Sequence, residues 1–404
     1  MSRVTIIISV LIFIVLVFIG LWYWLFFEKG TTPMPTPTAP VSNNGFSPLN
    51  PSSPNQTPTT PTSTSTPTQG TSTPIVDTTV PAKVRRIYTT PVASGLHASS
   101  TSSTSLVYFA DRGNGHTYIA DINGEKPEKI SNTTILRVYE SLWDKNAKNV
   151  ILRYIREGNN IVTTISSPLS TEIKARPLSN NISSMAVSPK GDRIFTLENG
   201  VGYISKIDGS VKTEVFNSPL SGWVVTWPEE NTITLTTNAS NKSPGYLYFL
   251  NAANKNIVKV LGPINGLTTN TSRDAKKVFY SQYVAGKTET KIFSLTEGSI
   301  QDTYLVTLPE KCTWSNLKKT SMYCAVPNQP LTNLPDAWYK GTVLGNDQIW
   351  HLDTVSNSVN KVANLLEETG STLDAFSLTL DQAELGLFFI NKHDLSLWAI
   401  DLTD

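Results

Sequence analysis

Cys312 and Cys324, in the stretch KCTWSNLKKTSMYCA, are the two cysteines of the 404-residue chain. If a turn centres on Lys318, the two stand equidistant from it, and an antiparallel hairpin sets them face to face. Directly opposed residues have Cβ atoms about 4.5–5.5 Å apart, a spacing that a disulfide draws in. The expectation is therefore a Cys312–Cys324 disulfide, favoured by an oxidising compartment; the competing reading is two free thiols buried in a core. Two cysteines exclude a four-cysteine zinc site, and there is no CxxC spacing for redox exchange.

Other chemistry is sparse. The nucleophile elbow GxSxG, the zinc motif HExxH and the phosphate loop GxxxxGK[ST] are absent. His97, His116, His351 and His393 stand isolated from one another, and a lone histidine such as His351 in IWHLDT reads as a satisfied or rim residue. DINGEKPE lacks the carboxylate ladder of a calcium loop. No catalytic residue, metal ligand or cofactor-binding motif is assigned, and no cofactor is expected. A fold that gathers residues from distant stretches still leaves room for a site hidden by the linear order. Lys+Arg number 33 and Asp+Glu 32, so no net field points to nucleic acid. Sequons such as those at Asn132, Asn181, Asn238 and Asn270 are read as chance in a chain rich in Asn, Ser and Thr.

The elements that position these residues fall into three parts. Residues 1–3 form a short cytoplasmic end. Residues 4–27, VTIIISVLIFIVLVFIGLWYWLFF, carry no charge and as a helix reach about 36 Å, enough for a hydrocarbon core of about 30 Å. Trp22, Tyr23 and Trp24 sit where aromatic rings favour the membrane interface. A cleaved signal peptide would have a shorter apolar core and a small-x-small site; LFFEKG follows instead, which favours an uncleaved signal anchor. Arg3 and the amino terminus place the N-terminus in the cytoplasm and the bulk of the chain outside the cell membrane. Residues 28–83 are dominated by Pro, Thr and Ser, with Asp77 the lone charge between Lys29 and Lys83. Such a segment buries too little apolar surface to fold and reads as a disordered stalk reaching up to about 160 Å, either a required spacer or a tolerated tether.

Residues 84–404 repeat. TYIADINGEKPEKIS, GYISKIDGSVKTEVF, YLYFLNAANKNIVKV, KIFSLTEGSIQDTYLV and QIWHLDTVSNSVNKV each read as strand, polar turn, strand. A second motif precedes each, cleanest in AVSPKGDRIFTL. Its apolar anchors are Val107, Val150, Ile194, Ile233, Val278, Met322 and Leu387, spaced by about 44 residues until an insertion stretches the last. A period of about 40–50 residues with four short strands marks a propeller blade. The count is seven, with six or eight blades open, and VRRIYTT at residues 84–90 supplies the missing outer strand of the seventh.

SPKGDRIFTL and YIADINGEKPEKIS resemble the Ser-Pro-Asp-Gly and Ile-Tyr-x-x-Asp-x-x-Gly marks of TolB-like and WD-repeat-like β-propellers. The resemblance spans residues 84–404, most closely in blades one and three. It implies an all-β, seven-bladed propeller and no particular activity, since the fold hosts binding modules and enzymes alike.

In such a ring one stretch is too long for a turn: PNQPLTNLPDAWYKGTVLGND, residues 327–347. Trp338 and Tyr339 at its centre are candidate partner-binding residues, with Arg112, Arg156 and Tyr246 in or beside loops of the same face. The alternative is a loop folded back to cap blade six around Trp338. The opposite face carries basic turns at Lys145, Lys148, Lys190, Arg193, Arg273, Lys276, Lys277, Lys318 and Lys319, read either as solubilising charge or as a face for anionic lipid. The functional expectation is a membrane-anchored, non-catalytic binding or scaffold module of the cell envelope with a protein or envelope-polymer partner. The alternative is a hydrolase or lyase acting on carbohydrate- or lactone-like substrates from a central funnel.

Overall fold

The structure, a computed structural model, describes residues 82–403 apart from 103, 125, 157–161, 171–173 and 180. The expected span at residues 4–27 and nearly all of the stalk at 28–83 lie outside the described residues. No helix among the described residues is long and apolar enough to cross a membrane.

The described residues form seven four-stranded antiparallel sheets, each the blade of a propeller. In blades one to six the strands follow chain order from the inside outwards. Blade three, for example, runs Ile182–Val187, Arg193–Glu198, Val201–Lys206 and Thr213–Asn217. The seven apolar anchors all fall on second strands, and each is at most 1% exposed. A second strand lies between two partners and under both neighbouring blades, so both of its faces are apolar. Gly386–Asn391 (GLFFIN) is buried at every position. Outer strands meet water instead, as at Ile257–Asn265, where residues 257–259 are exposed.

The turn from first to second strand repeats one device. A short polar side chain ends the first strand and accepts hydrogen bonds from backbone N–H groups of its own turn, which is why Asp and Ser favour turns. Asp144 Oδ1 accepts from Asn146 N (3.1 Å) and Lys148 N (2.8 Å). Ser272 Oγ accepts from Lys276 N and Lys277 N, Ser315 Oγ from Leu317 N and Lys318 N, and Asp381 from Ala383 N and Gly386 N. In blades two, three, five and seven the turn also holds a left-handed residue. Gly191 supplies it in blade three at φ 77°, where a Cβ would also lie 2.4 Å from Lys145 N; Ala147, Ala275 and Glu384 hold the same region in blades two, five and seven.

Blade seven is completed from the other end of the chain. Val84–Tyr88 pairs antiparallel with Leu397–Asp401 as its outermost strand, with Val84 opposite Ile400 and Arg86 opposite Trp398. The Arg86 guanidinium lies 4.8 Å from the centre of the Trp398 ring. Ile87 packs with Val107, Phe109, Phe388 and Ala399, joining blades seven and one into one core. Asp401 N donates to Lys83 O at 2.9 Å, so the chain enters the ring on the face of the first-to-second-strand turns.

Cys312 and Cys324 are register partners on the first two strands of blade six and form a disulfide, both within the core. The pairing places them opposite each other, as the hairpin argument requires.

Candidate functional site: the axial channel and its long loop

The first strand of each blade faces the ring's axis. Where these strands end, at the first-to-second-strand turns, the structure leaves a cavity of about 420 Å³. Its walls come from blades one, two, three, five, six and seven; His97, Asp144, Lys145, Arg273, Thr379 and Gln382 are the polar members that matter here. A second cavity, of about 390 Å³, lies against the first strands of blades four to six, with Val224, Thr226, Thr269 and Glu310 in its wall. Pro189 and Arg273 border both. Val224 is 50% exposed although it lies on an inner strand, because it faces this space and not the core.

Most carboxylates at the mouth are already engaged. Asp144 accepts from its own turn and, through Oδ2, from Asn149 Nδ2 at 2.6 Å. Glu384, on the turn of blade seven, reaches blade six, where its Oε1 accepts from Ser315 Oγ (2.6 Å), Leu317 N (3.1 Å) and Asn316 N. His97 rests edge-on against Tyr108 at 5.6 Å. Burial pushes its pKa down, opposed by Asp144, so the ring is neutral at neutral pH.

Arg273 differs from its neighbours. It is open to solvent, yet the protein around it is crowded enough that burial lowers its pKa, with Glu384 opposing. Its Nε donates a long hydrogen bond to Trp314 O at 3.4 Å. Its two terminal nitrogens take part in no hydrogen bond or ion pair with any described residue. Some other cations of this face are compensated, Arg193 and Lys190 by Glu230 and Lys318 by Asp353.

The opposite face carries the long loop between Pro327 and Asp347. It contains a short helix, Asp336–Tyr339, and leans over blades four to seven. Asp336 accepts from Ser240 Oγ (3.0 Å) and Asn241 N (2.7 Å) of blade four. Burial raises the Asp336 pKa, but these hydrogen bonds outweigh it and hold the carboxyl below its usual range. Tyr283 Oη of blade five donates to Asn333 Oδ1 at 3.4 Å. Trp338 is 5% exposed and packs with Leu308 and Leu334. Its Nε1 donates to Asp374 Oδ2 at 3.0 Å, and Lys392 Nζ lies 3.9 Å from its ring centre.

Beneath the loop lies an ion cluster. Lys311 Nζ stands 2.8 Å from Asp347 Oδ2 and 2.7 Å from Asp374 Oδ1, and the three side chains are at most 1% exposed. Asp374 also accepts from Gly345 N at 2.7 Å, and Asp347 from Ala375 N at 2.7 Å. Charges removed from water need this density of partners. Burial, only partly offset by Lys311, pushes the Asp347 pKa up to about 6. Next to Lys311, Glu310 turns to the channel and accepts from Tyr339 Oη; burial raises its pKa as well.

The five residues singled out as partner-binding are not brought together. Trp338 is the centre of a small core of its own, the second of the two readings of this loop, and offers no exposed ring for docking. Tyr339 is 46% exposed and tied to Glu310. Arg112 and Arg156 are exposed in second-to-third-strand turns of blades one and two, away from the blades on which the loop leans. Tyr246 is half-buried against Tyr248. The basic face is also less basic than its lysine and arginine count, since acidic partners neutralise several of its cations. Sequence reasoning missed Lys311, Asp347, Asp374 and Glu310, and placed Arg273 merely on a turn. Among the described residues no three His, Cys, Asp or Glu side chains converge as a metal site.

Fold and channel together define a seven-bladed β-propeller with a solvent-open axial mouth and a loop-covered opposite face. The fold is shared with tricorn protease, at TM-score 0.51 and 12% identity over 80% of this chain. It is shared also with hydrazine synthase of Kuenenia stuttgartiensis, at TM-score 0.52 and 12% identity, over 78% of this chain and 96% of that one. TolB from Acinetobacter baumannii aligns at TM-score 0.43 and 14% identity over 62% of this chain. The chain spans about a third of the tricorn protease chain (34%) and 60% of the TolB chain. Neither a known family model nor a curated protein matches the sequence.

Proposed function

We propose that the chain is a membrane-anchored, extracytoplasmic β-propeller that binds its ligand without transforming it, with the axial mouth as the binding site. The observation that carries this reading is the 420 Å³ cavity whose one lining carboxylate, Asp144, is engaged by turn donors, as is Glu384 on the adjoining turn, while Arg273 keeps unengaged donors. General acid–base chemistry needs a carboxylate or imidazole free to exchange a proton at the substrate. The one imidazole of this wall, His97, packs edge-on against Tyr108, and the wall's cations and apolar surface suit recognition. The anchor rests on the uncharged run at residues 4–27 and the Pro/Thr/Ser stretch that follows. The partner is a protein or polymer of the cell envelope.

The test is cross-linking of the full-length chain in native membranes, wild type against Thr379→Trp, which fills the mouth. A discrete cross-linked envelope component present in wild type, lost in Thr379→Trp and retained in Tyr339→Ala fits the proposal. Turnover of a carbohydrate or lactone panel by wild type, lost in Thr379→Trp, would replace it with the enzyme alternative. Protease accessibility of the ring from the outer side of sealed membranes checks the orientation.

A further inference from the structure

We propose that Arg273 anchors a carboxylate in the axial mouth, an inference that rests on the mouth being the binding site. Arginine presents five donors in a planar fork that matches a carboxylate through two parallel hydrogen bonds. Here the Nη side of the fork is unengaged among the described residues, and Nε makes only the long contact with Trp314 O. The nearest acidic residue acting on it, Glu384, is held by Ser315, Asn316 and Leu317 of the neighbouring turn and does not close on the guanidinium. Open to solvent and without a bonded counter-ion, the fork is available to a ligand.

Charge and shape narrow the ligand. Two cations, Lys145 and Arg273, and one carboxylate, Asp144, line the mouth, so its single excess positive charge matches a monoanion and not a dianion such as phosphate. One unengaged fork calls for one monoanionic, planar group. Leu96, Ala98, Val187 and Leu380 in the same wall suit an apolar or ring-shaped body behind that group, and the volume of about 420 Å³ limits it to a small organic acid or a single acidic unit of a chain. Arg273 borders both cavities, so a carboxylate bound there leaves its body room along the axis.

The experiment is calorimetric titration of the full-length chain in detergent micelles with acetate, glucuronate, a polyuronate and inorganic phosphate. Wild type, Arg273→Gln, Arg273→Lys and Thr379→Trp are compared. Saturable carboxylate binding is expected, weaker by about tenfold or more in Arg273→Gln and weakened in Arg273→Lys, which keeps the charge but loses the fork. Binding by the free acids points to a soluble ligand, and binding by polyuronate alone points to a polymer; either supports the anchor. Equal carboxylate affinity in Arg273→Gln, phosphate binding as tight as carboxylate, or no binding of any probe overturns it. A mouth-dependent cross-link that survives Arg273→Gln would leave the binding-module reading standing while the carboxylate anchor falls.

Discussion

Lys311 and Asp374 meet at 2.7 Å in a space closed to water, one at the end of the 3-10 turn Pro309–Lys311 that leads into the first strand of blade six and the other at the entry to blade seven. Asp347, where the long loop rejoins blade six, completes the cluster. Two blades and the base of the loop are thus held by one ammonium group. Removing it leaves two buried carboxylates facing each other. Lys311→Met is expected to destabilise the ring by about 3–5 kcal/mol, read as a lowered urea midpoint; a loss below about 1 kcal/mol would show that water reaches the cluster.

The cluster also has a pH signature. The folded-state pKa of Asp347 is raised from 3.8 to about 6, so the native state holds this proton more tightly than the unfolded chain does. The stability it contributes is fully present below about pH 4 and is lost as pH rises through about 6. Asp347→Asn removes this component. Measured between pH 4 and 6, the stability of wild type minus that of Asp347→Asn is expected to grow on acidification; a flat difference counts against the assignment.

The disulfide makes a separate prediction. Cys312 and Cys324 close a loop with a sequence separation of 12, and a loop of that size constrains the unfolded chain by about 2–3 kcal/mol. The double variant Cys312→Ala/Cys324→Ala is expected to lose at least that much, since both side chains also pack in the core of blade six. Urea unfolding with and without reductant checks it: reductant should destabilise wild type and leave the double variant unchanged.

Ring closure can be tested at Ile87, which is 6% exposed and bridges blades seven and one. Ile87→Ala is expected to cost about 2–5 kcal/mol. Hydrogen exchange should quicken first at the amides of Leu397–Asp401, its partner strand. Uniform protection across all blades would mean that closure contributes little.

The ring was legible because its periodic signal is a burial signal. Val107, Val150, Ile194 and the other anchors lie on strands enclosed on both faces, where only apolar residues fit, so their spacing survives divergence everywhere else. The turn residues Asp144, Ser272, Ser315 and Asp381 act locally, each binding backbone within five residues, but the sequence reading did not single them out. The cluster under the loop was not legible either. Lys311 and Asp374 are 63 residues apart, and a lysine between a glutamate and a cysteine reads as surface until the ring folds over it. Trp338 was ambiguous for the same reason: an aromatic side chain in a long loop has one composition whether it meets a partner or its own protein. Arg273 reads as turn charge, and only the curvature of seven sheets carries that turn to the axis.

The pairing of Val84–Tyr88 with Leu397–Asp401 also sets a timetable. During synthesis the first of these strands leaves the ribosome before any blade exists, and its partner emerges after six blades have been made. Throughout that interval the early segment has unpaired amides and nothing to add to, which is the state in which strands seek foreign edges. A chain stopped shortly before Leu397 would therefore lose two strands for the loss of one, leaving blade seven half built against blade one.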